Sequence, residues 1–415
     1  MNYLFLSKRC CAFLERLASV VKLLAVLAAV MVQARVAVAA EVTAVDVAQS
    51  QSATVFSLVL SEGRTAEIFT LGSPYRVIVD IPDINFKLPA NAGKGAVGLV
   101  GAFRYGLFAE RKARVVIDAT GPVKITKAYM ERVGKRSVKL NIVLTATDAQ
   151  SFGDGTGARR SHESSSAGVA PPVEAKPKKA HEKPVIVIDP GHGGIDPGAM
   201  GANDMPEKAI VLEVGKKIEQ ALLATGRYTV EMTRTNDVFV SLDKRVALSE
   251  ERNADLFLSL HADAIQESLA EKVRGATIYT LSEQATDEQA RLMAEKENAS
   301  DLLAGLEAGE YKASDQVRNI LIDLLKRETA NFSADLSNLL AQRMGKVIAM
   351  SRIPQRSAAF KVLKQSHAPS VLIELGYMSN SEAQKQMATA ALQRQVAAAI
   401  TTAVDNYFNK RLAEH

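Results

Sequence analysis

The sequence predicts two folded parts of different class, a small all-β, sandwich-like domain and, behind it, an α/β domain. Three observations carry this. From Glu41 to Thr147, short strand-like runs alternate with turn residues. From Asp148 to Pro184 the composition changes to Gly, Ser, Ala, Pro and mixed charge, without apolar periodicity. From Val185 onward, continuous apolar runs of strand length alternate with helical patterns. At 415 residues and 47% hydrophobic content, the chain is long enough for two or three domains with real cores.

Residues 1–40 stand apart from the rest. Lys8, Arg9, Arg16 and Lys22 precede the apolar run Leu23–Val32, and Ala37-Val38-Ala39-Ala40 follows, which is the layout of a cleaved secretory signal. The run is too short for a comfortable membrane span, so export to the periplasm with no retained span is expected. The segment carries five basic residues and one acidic residue, and without it the formal charge falls from +5 to +1. No nucleic-acid partner is therefore read from the basicity. Both cysteines, Cys10 and Cys11, belong to this segment. The remainder can hold no disulfide framework, Cys nucleophile or Cys-bound zinc, so a metal there must be held by His, Asp or Glu.

In residues 41–147 the runs Ala53–Leu60, Tyr75–Ile81, Ala113–Asp118 and Ser137–Leu144 read as strands, several with period-two alternation. No histidine occurs here and acidic residues are scattered singly, which argues against a catalytic role. The paired runs Tyr75-Arg76-Val77-Ile78-Val79-Asp80 and Ala113-Arg114-Val115-Val116-Ile117-Asp118 resemble the Arg-apolar-Asp strands of AMIN domains. That resemblance implies a targeting or peptidoglycan-binding module; on alternation alone, the Arg and Asp side chains read as a solvated face. Residues 148–184 read as a flexible tether, with His162 and His181 as exposed spectators, as is the last residue, His415.

Val185–Gly194, VIVIDPGHGG, is a buried strand that delivers His192 to a tight glycine loop, at the strand end where α/β folds collect ligands. Pro206 opens a helical pattern over Ile210, Val211, Val214, Ile218, Ala221 and Leu222, and Glu207 projects from its start. Tyr228–Thr233 reads as a strand and Leu242–Asn253 as a helix. Ala254–Leu260 is a second buried strand, ending in His261-Ala262-Asp263, and Val371–Leu375 places Glu374 inside a third. Carboxylates are rarely buried without a partner. His367, in the loop before that third strand, needs no special role. Two imidazoles and two carboxylates at one sheet edge fit zinc chemistry: about three ligands, an open position for water, and a separate carboxylate as general base.

The segments Ile188–Gly194, Glu207, Ser259–Asp263, Phe360–Leu363 and Ala368–Asn380 resemble the zinc-dependent N-acetylmuramoyl-L-alanine amidases of the Amidase_3 type, from Val185 to about Phe408. The resemblance implies a twisted, mainly parallel sheet with helices on both faces. It implies Zn2+ held by His192, Glu207 and His261, with Glu374 as catalytic base. Asp263 either adds a ligand or orients His261.

Residues 282–329 form a long charged helical insertion, read as Asp287–Leu303 and a second helix around Val317–Leu325, before a helix near Ala334–Val347. By resemblance to division-associated amidases, its first helix blocks the zinc site, with Glu297, or alternatively Glu295, reaching the metal. A LytM-type activator protein is then expected at the second helix. The function expected is hydrolysis of the bond between N-acetylmuramic acid and L-alanine in peptidoglycan during septum splitting. The alternatives are a zinc hydrolase of another cell-wall amide and an inactive wall-binding regulator.

Overall fold

A computed structural model of the chain describes residues 39–50, 52–89, 92–152, 158–160, 183–201, 204–264, 275–306, 319–365, 367–379 and 381–414. The signal-like segment through Val38, most of the 148–184 stretch with His162 and His181, residues 307–318 and His415 lie outside these. The side chains of 319–328, which carry most of the expected activator face Val317–Leu325, lie outside them too.

The amino-terminal part is a β-sandwich. Its strands are β1 (Ala40–Ser50), β2 (Ala53–Leu60), β3 (Glu67–Leu71), β4 (Arg76–Pro82), β5 (Ile84–Phe86), β6 (Val100–Ala109), β7 (Lys112–Ala119), β8 (Val123–Arg132) and β9 (Val138–Ala146). One sheet runs β5-β1-β2-β9-β8 and the other β3-β4-β7-β6. A short strand β10 (Ala158–Arg160), inside the stretch read as a tether, lies parallel to β3 at the edge of the second sheet. Alternate residues of both sheets, among them Phe56, Leu58, Ile142, Val77, Val79, Val115 and Ile117, fill the space between them. The opposite face of β4 is unusual for a sandwich. Arg76, Ile78 and Asp80 point away from that core, yet they are 1%, 0% and 3% exposed.

The carboxy-terminal part is α/β. Its elements are β11 (Val185–Pro190), α1 (Glu207–Ala224), β12 (Thr229–Met232), α2 (Leu242–Glu251), β13 (Leu256–His261), β14 (Ala276–Leu281), α3 (Glu288–Asn298), α4 (Ser300–Leu303), α5 (Asn319–Met344), β15 (Met350–Ala358), β16 (Ser370–Glu374), α6 (Ser381–Met387) and α7 (Ala390–Glu414). The sheet order is β12-β11-β13-β16-β14-β15, parallel throughout except where β14 meets β16.

Strand parity assigns the helices to two faces. Ile186, Ile188, Leu256, Leu258, Val371 and Ile373 pack with α1, α5 and α7. Val187, Phe257 and Leu372 pack on the other side with α2, α3 and the turn at Phe360–Leu363. Strands covered on both sides must be apolar throughout, which is why VIVI, LFL and VLI carry no alternation. Residues in register with the second set, Asp189, Ser259, His261 and Glu374, therefore open toward the α3 side.

One expectation about element boundaries changes. The second insertion helix and the helix expected near Ala334–Val347 are a single helix, α5, of 26 residues. No Gly or Pro interrupts the sequence between them, and Ser333, Leu336 and Leu340 are buried on one continuous side. Among the described residues, no helix is long and apolar enough to cross a membrane.

Candidate metal centre

Parallel pairing of β13 with β16 sets His261 directly across from Glu374. The loop after β11 turns back at His192, which adopts a left-handed conformation with φ of 59°. His192 Nε2 and His261 Nδ1 then face a common space, with ring centroids 4.9 Å apart. The glycines of this loop admit the chain's own rings: a Cβ on Gly191 would stand 2.5 Å from the His261 ring, and one on Gly198 would stand 2.6 Å from that of His192.

Glu207, the first residue of α1, is fully buried between the two imidazoles. One carboxylate oxygen lies 3.2 Å from His192 Nε2 and the other 3.3 Å from His261 Nδ1. These oxygens also accept from the backbone N–H groups of Ala199, at 2.8 Å, and Ala262, at 2.7 Å. Glu297 enters from α3 on the opposite side, its Oε2 3.4 Å from His192 Nε2 and 3.1 Å from His261 Nδ1. Among the described residues, His192, His261 and Glu297 are the set whose donor atoms all fall within 4.8 Å of one another, so the group drawn together includes the insertion residue. Glu295 is exposed and pairs with Arg291, away from the site.

Glu374 lies beside this cluster. Its Oε1 accepts from the Asp263 N–H at 2.5 Å, and its Oε2 is buried without a hydrogen bond. The Asp263 carboxylate pairs with Lys296 of α3 and caps the Ala264 N–H. His367 lies apart, against Ser249 at 3.3 Å.

Sequence reasoning passed over the residues that hold this loop in place. Asp196 Oδ2 lies 2.9 Å from His192 Nδ1, fixing the ring so that Nε2 points inward. The signal was present as a carboxylate four residues after the histidine in GHGGID. Asp189 accepts from Thr233, Arg245 and Ser259, at 2.6, 2.6 and 2.8 Å. Arg245 also donates to the carbonyls of Pro190 and His192, and Arg234 to those of Pro190 and Gly191. Two buried guanidiniums thus satisfy the carbonyls of a loop that has no regular ladder.

The electrostatics are those of an anionic cage. Burial alone pulls His261 down, but Glu297 and Glu207 outweigh it and push its pKa up to about 10. His192 likewise rises well above the usual imidazole range, burial being overcome by Glu207, Asp196 and Glu297. Burial, with the charges of Glu207 and Asp263, lifts Glu374 well above the ordinary carboxylate range. Burial raises Asp263 to about 6.

The residues fit a divalent cation. His192 Nε2, His261 Nδ1 and Glu297 Oε1 are buried without hydrogen bonds, and the rest of the donor set is imidazole and carboxylate. A dication would balance the clustered negative charge, and each histidine presents a nitrogen lone pair once neutral.

Two family models match the sequence: "N-acetylmuramoyl-L-alanine amidase" over residues 186–406 and "AMIN domain" over residues 44–143. Among similar proteins, the N-acetylmuramoyl-L-alanine amidase AmiC of Escherichia coli O6:H1 is 29% identical over 388 residues, 91% of each chain. AmiA of Escherichia coli K12 is 36% identical over 238 residues, which is 56% of this chain and 79% of that one. Among solved structures, the amidase AmiC2 of Nostoc punctiforme aligns over 55% of this chain and 99% of that chain, with 27% identity and a TM-score of 0.39.

Proposed function

Because the chain belongs to the N-acetylmuramoyl-L-alanine amidase family, a family of peptidoglycan amidases, we propose that it is a zinc-dependent amidase of the periplasm. In this reading it cuts the bond between N-acetylmuramic acid and L-alanine during septum splitting. The observation that carries the reading is the meeting of His192 Nε2, His261 Nδ1 and Glu207 beside the unpartnered Glu374 Oε2. His192, Glu207 and His261 would hold the zinc ion, which supplies Lewis-acid activation of the amide carbonyl and of water.

The chain's own groups divide the remaining work. Asp196 holds the His192 ring, and the Ala199 and Ala262 N–H groups hold the Glu207 carboxylate. The Asp263 N–H fixes Glu374 through Oε1 and leaves Oε2 free. Glu374 Oε2 takes the proton of the attacking water as oxygen bonds to the lactyl carbonyl carbon. It returns that proton to the L-alanine nitrogen as the C–N bond breaks.

Glu297 fills the position where substrate or water would enter, so the resting enzyme is autoinhibited by α3. A LytM-type activator acting on the insertion around Val317–Leu325 would withdraw it. Digestion of purified peptidoglycan tests the reading: Glu297→Ala should release stem peptides beginning with L-alanine faster than wild type. Acetate, or cuts inside the stem, would refute the reaction. An unchanged low rate in Glu297→Ala would refute autoinhibition by that residue.

A further inference from the structure

The Arg-apolar-Asp strands of the AMIN domain have no part in the chemistry above, yet their outward face is buried. What buries it is the end of the insertion helix that carries Glu297. The α3–α4 segment stops at Leu303; the Leu302 carbonyl accepts the Gly305 N–H at 3.0 Å, and the remaining capacity of its last carbonyls is turned to the AMIN sheet. Arg76 donates to the Leu302 carbonyl and, at 3.5 Å, to that of Leu306. Arg104 donates to Leu303 O at 2.8 Å. Arg114 donates to Ala304 O at 3.2 Å and Gly305 O at 3.0 Å.

Three guanidiniums from β4, β6 and β7 thus meet the negative end of one helical segment. This is the polarity that a helix C-terminus favours, and the guanidinium fork is suited to it. The arginines are themselves held in place. Asp80 accepts two bonds from Arg114, at 2.6 and 2.9 Å, and Asp118 accepts from Arg104 at 2.7 Å.

An apolar contact surrounds the polar one. Ile78 and Val116 of the AMIN sheet, Ile195 and Phe239 of the metal-loop region, and Ala304 after α4 form one buried cluster. Beside it, Leu107 O of β6 accepts from the N–H groups of Ile195, at 3.3 Å, and Phe239, at 3.2 Å. The Phe108 and Phe239 rings stack at 5.8 Å. The AMIN sheet therefore touches both the loop behind His192 and the segment that delivers Glu297.

We propose that the arginine face of the AMIN sheet is an intramolecular docking surface for the carbonyl end of α3–α4, and that it clamps the Glu297 helix in its closed position. Leu302 lies five residues beyond Glu297, with only the turn at Ala299 between α3 and α4. Force applied at the carbonyl end is therefore transmitted directly to the blocking carboxylate. The catalytic domain holds the middle of the segment through Lys296 on Asp263 and Asn298 on the Ala359 carbonyl. The AMIN domain holds its far end.

The clamp rests on the autoinhibitory reading of α3, so its test needs a readout that does not depend on hydrolysis. Gly305 has a φ of +73°, and a Cβ there would stand 2.7 Å from Ile78 Cδ1, so Gly305→Trp drives a wedge into the interface. The readout is amide hydrogen exchange of the full chain, followed over residues 290–303 and over β2 and β9.

In Gly305→Trp the helix amides should exchange at least about tenfold faster while β2 and β9 keep wild-type protection. Arg104→Ala, which removes only the bond to Leu303 O and the pair with Asp118, should act in the same direction by a smaller factor. Unchanged exchange over 290–303 in both variants overturns the clamp. Loss of protection in β2 and β9 of Gly305→Trp passes the decision to Arg104→Ala. Hydrolysis is measured separately. If Glu297→Ala stays as slow as wild type, the autoinhibitory reading fails, while the exchange data still decide whether the sheet holds the helix.

Discussion

Replacing Asp196 with alanine isolates the support of a single proposed metal ligand, His192. In the wild type, Asp196 Oδ2 lies 2.9 Å from His192 Nδ1, and Oδ1 accepts the Gly198 N–H at 3.1 Å. Both Asp196 and His192 are buried, so water does not replace the lost partner at full strength. A hydrogen bond to a charged group contributes about 1.5–3 kcal/mol. At about 1.4 kcal/mol per decade, that is roughly a 10- to 150-fold loss of zinc affinity, in line with the loss seen when such supporting carboxylates are removed elsewhere. Asp196→Asn keeps an acceptor at the same place and should lose less. Competition against a chromophoric chelator, on full-length protein with wild-type circular dichroism, measures both. An affinity within twofold of wild type for Asp196→Ala would refute the argument that this carboxylate fixes the ring.

Glu374→Gln keeps the shape and the bond from the Asp263 N–H but cannot carry the proton. Peptidoglycan hydrolysis by an activated enzyme should fall on the order of 10²- to 10⁴-fold with zinc content unchanged, and a loss of zinc instead would move Glu374 from base to ligand. Acid should loosen the AMIN domain through Asp80, which Arg114 and Lys112 hold below the usual carboxylate range despite the opposing effect of burial. A depressed folded pKa contributes stability above the unfolded value of about 3.9 that is lost as pH falls through the folded value. Thermal melts between pH 6 and pH 3 should therefore show a drop that Asp80→Asn flattens. That variant should itself cost on the order of 3 kcal/mol at neutral pH by removing the carboxylate that balances the buried Arg114.

The parts of this architecture written most plainly in the sequence are those fixed by local rules. Val185–Ile188, Leu256–Leu258 and Val371–Ile373 show as strands because burial on both faces demands unbroken apolar runs, and the polar residues that end them mark the open edge. Asp189, Arg234 and Arg245 were hidden, because an arginine at the end of a strand or on a helix reads as surface until the loop it satisfies is seen in space. The AMIN strands mislead for a related reason. Arg76 and Asp80 alternate with Val77 and Val79 as on any half-solvated sheet, and only contacts with residues more than 100 positions away close that face. The run from Asn319 to Met344 is read as an insertion helix and a separate domain helix, yet nothing in it breaks the backbone and it folds as one.

Closure of α3 and binding of the metal share one group, and this makes them thermodynamically linked. Glu297 is 4% exposed and its Oε1 has no hydrogen bond, so its charge is stable there only against a positive centre. The two imidazoles provide one when protonated, and a dication provides a stronger one at neutral pH. By reciprocity, whatever affinity the helix gains from the metal, the metal gains from the helix; such couplings run to about 1–3 kcal/mol, or about 5- to 150-fold. Two outcomes follow from the same number. Glu297→Ala should bind zinc more weakly than wild type by a factor in that range, although on the autoinhibitory reading it should be the more active enzyme. Chelation should speed amide exchange over residues 290–303 of the wild type by a comparable factor and leave that of Glu297→Ala unchanged. A Glu297→Ala protein that binds zinc as tightly as wild type would show that α3 covers the site without taking part in it.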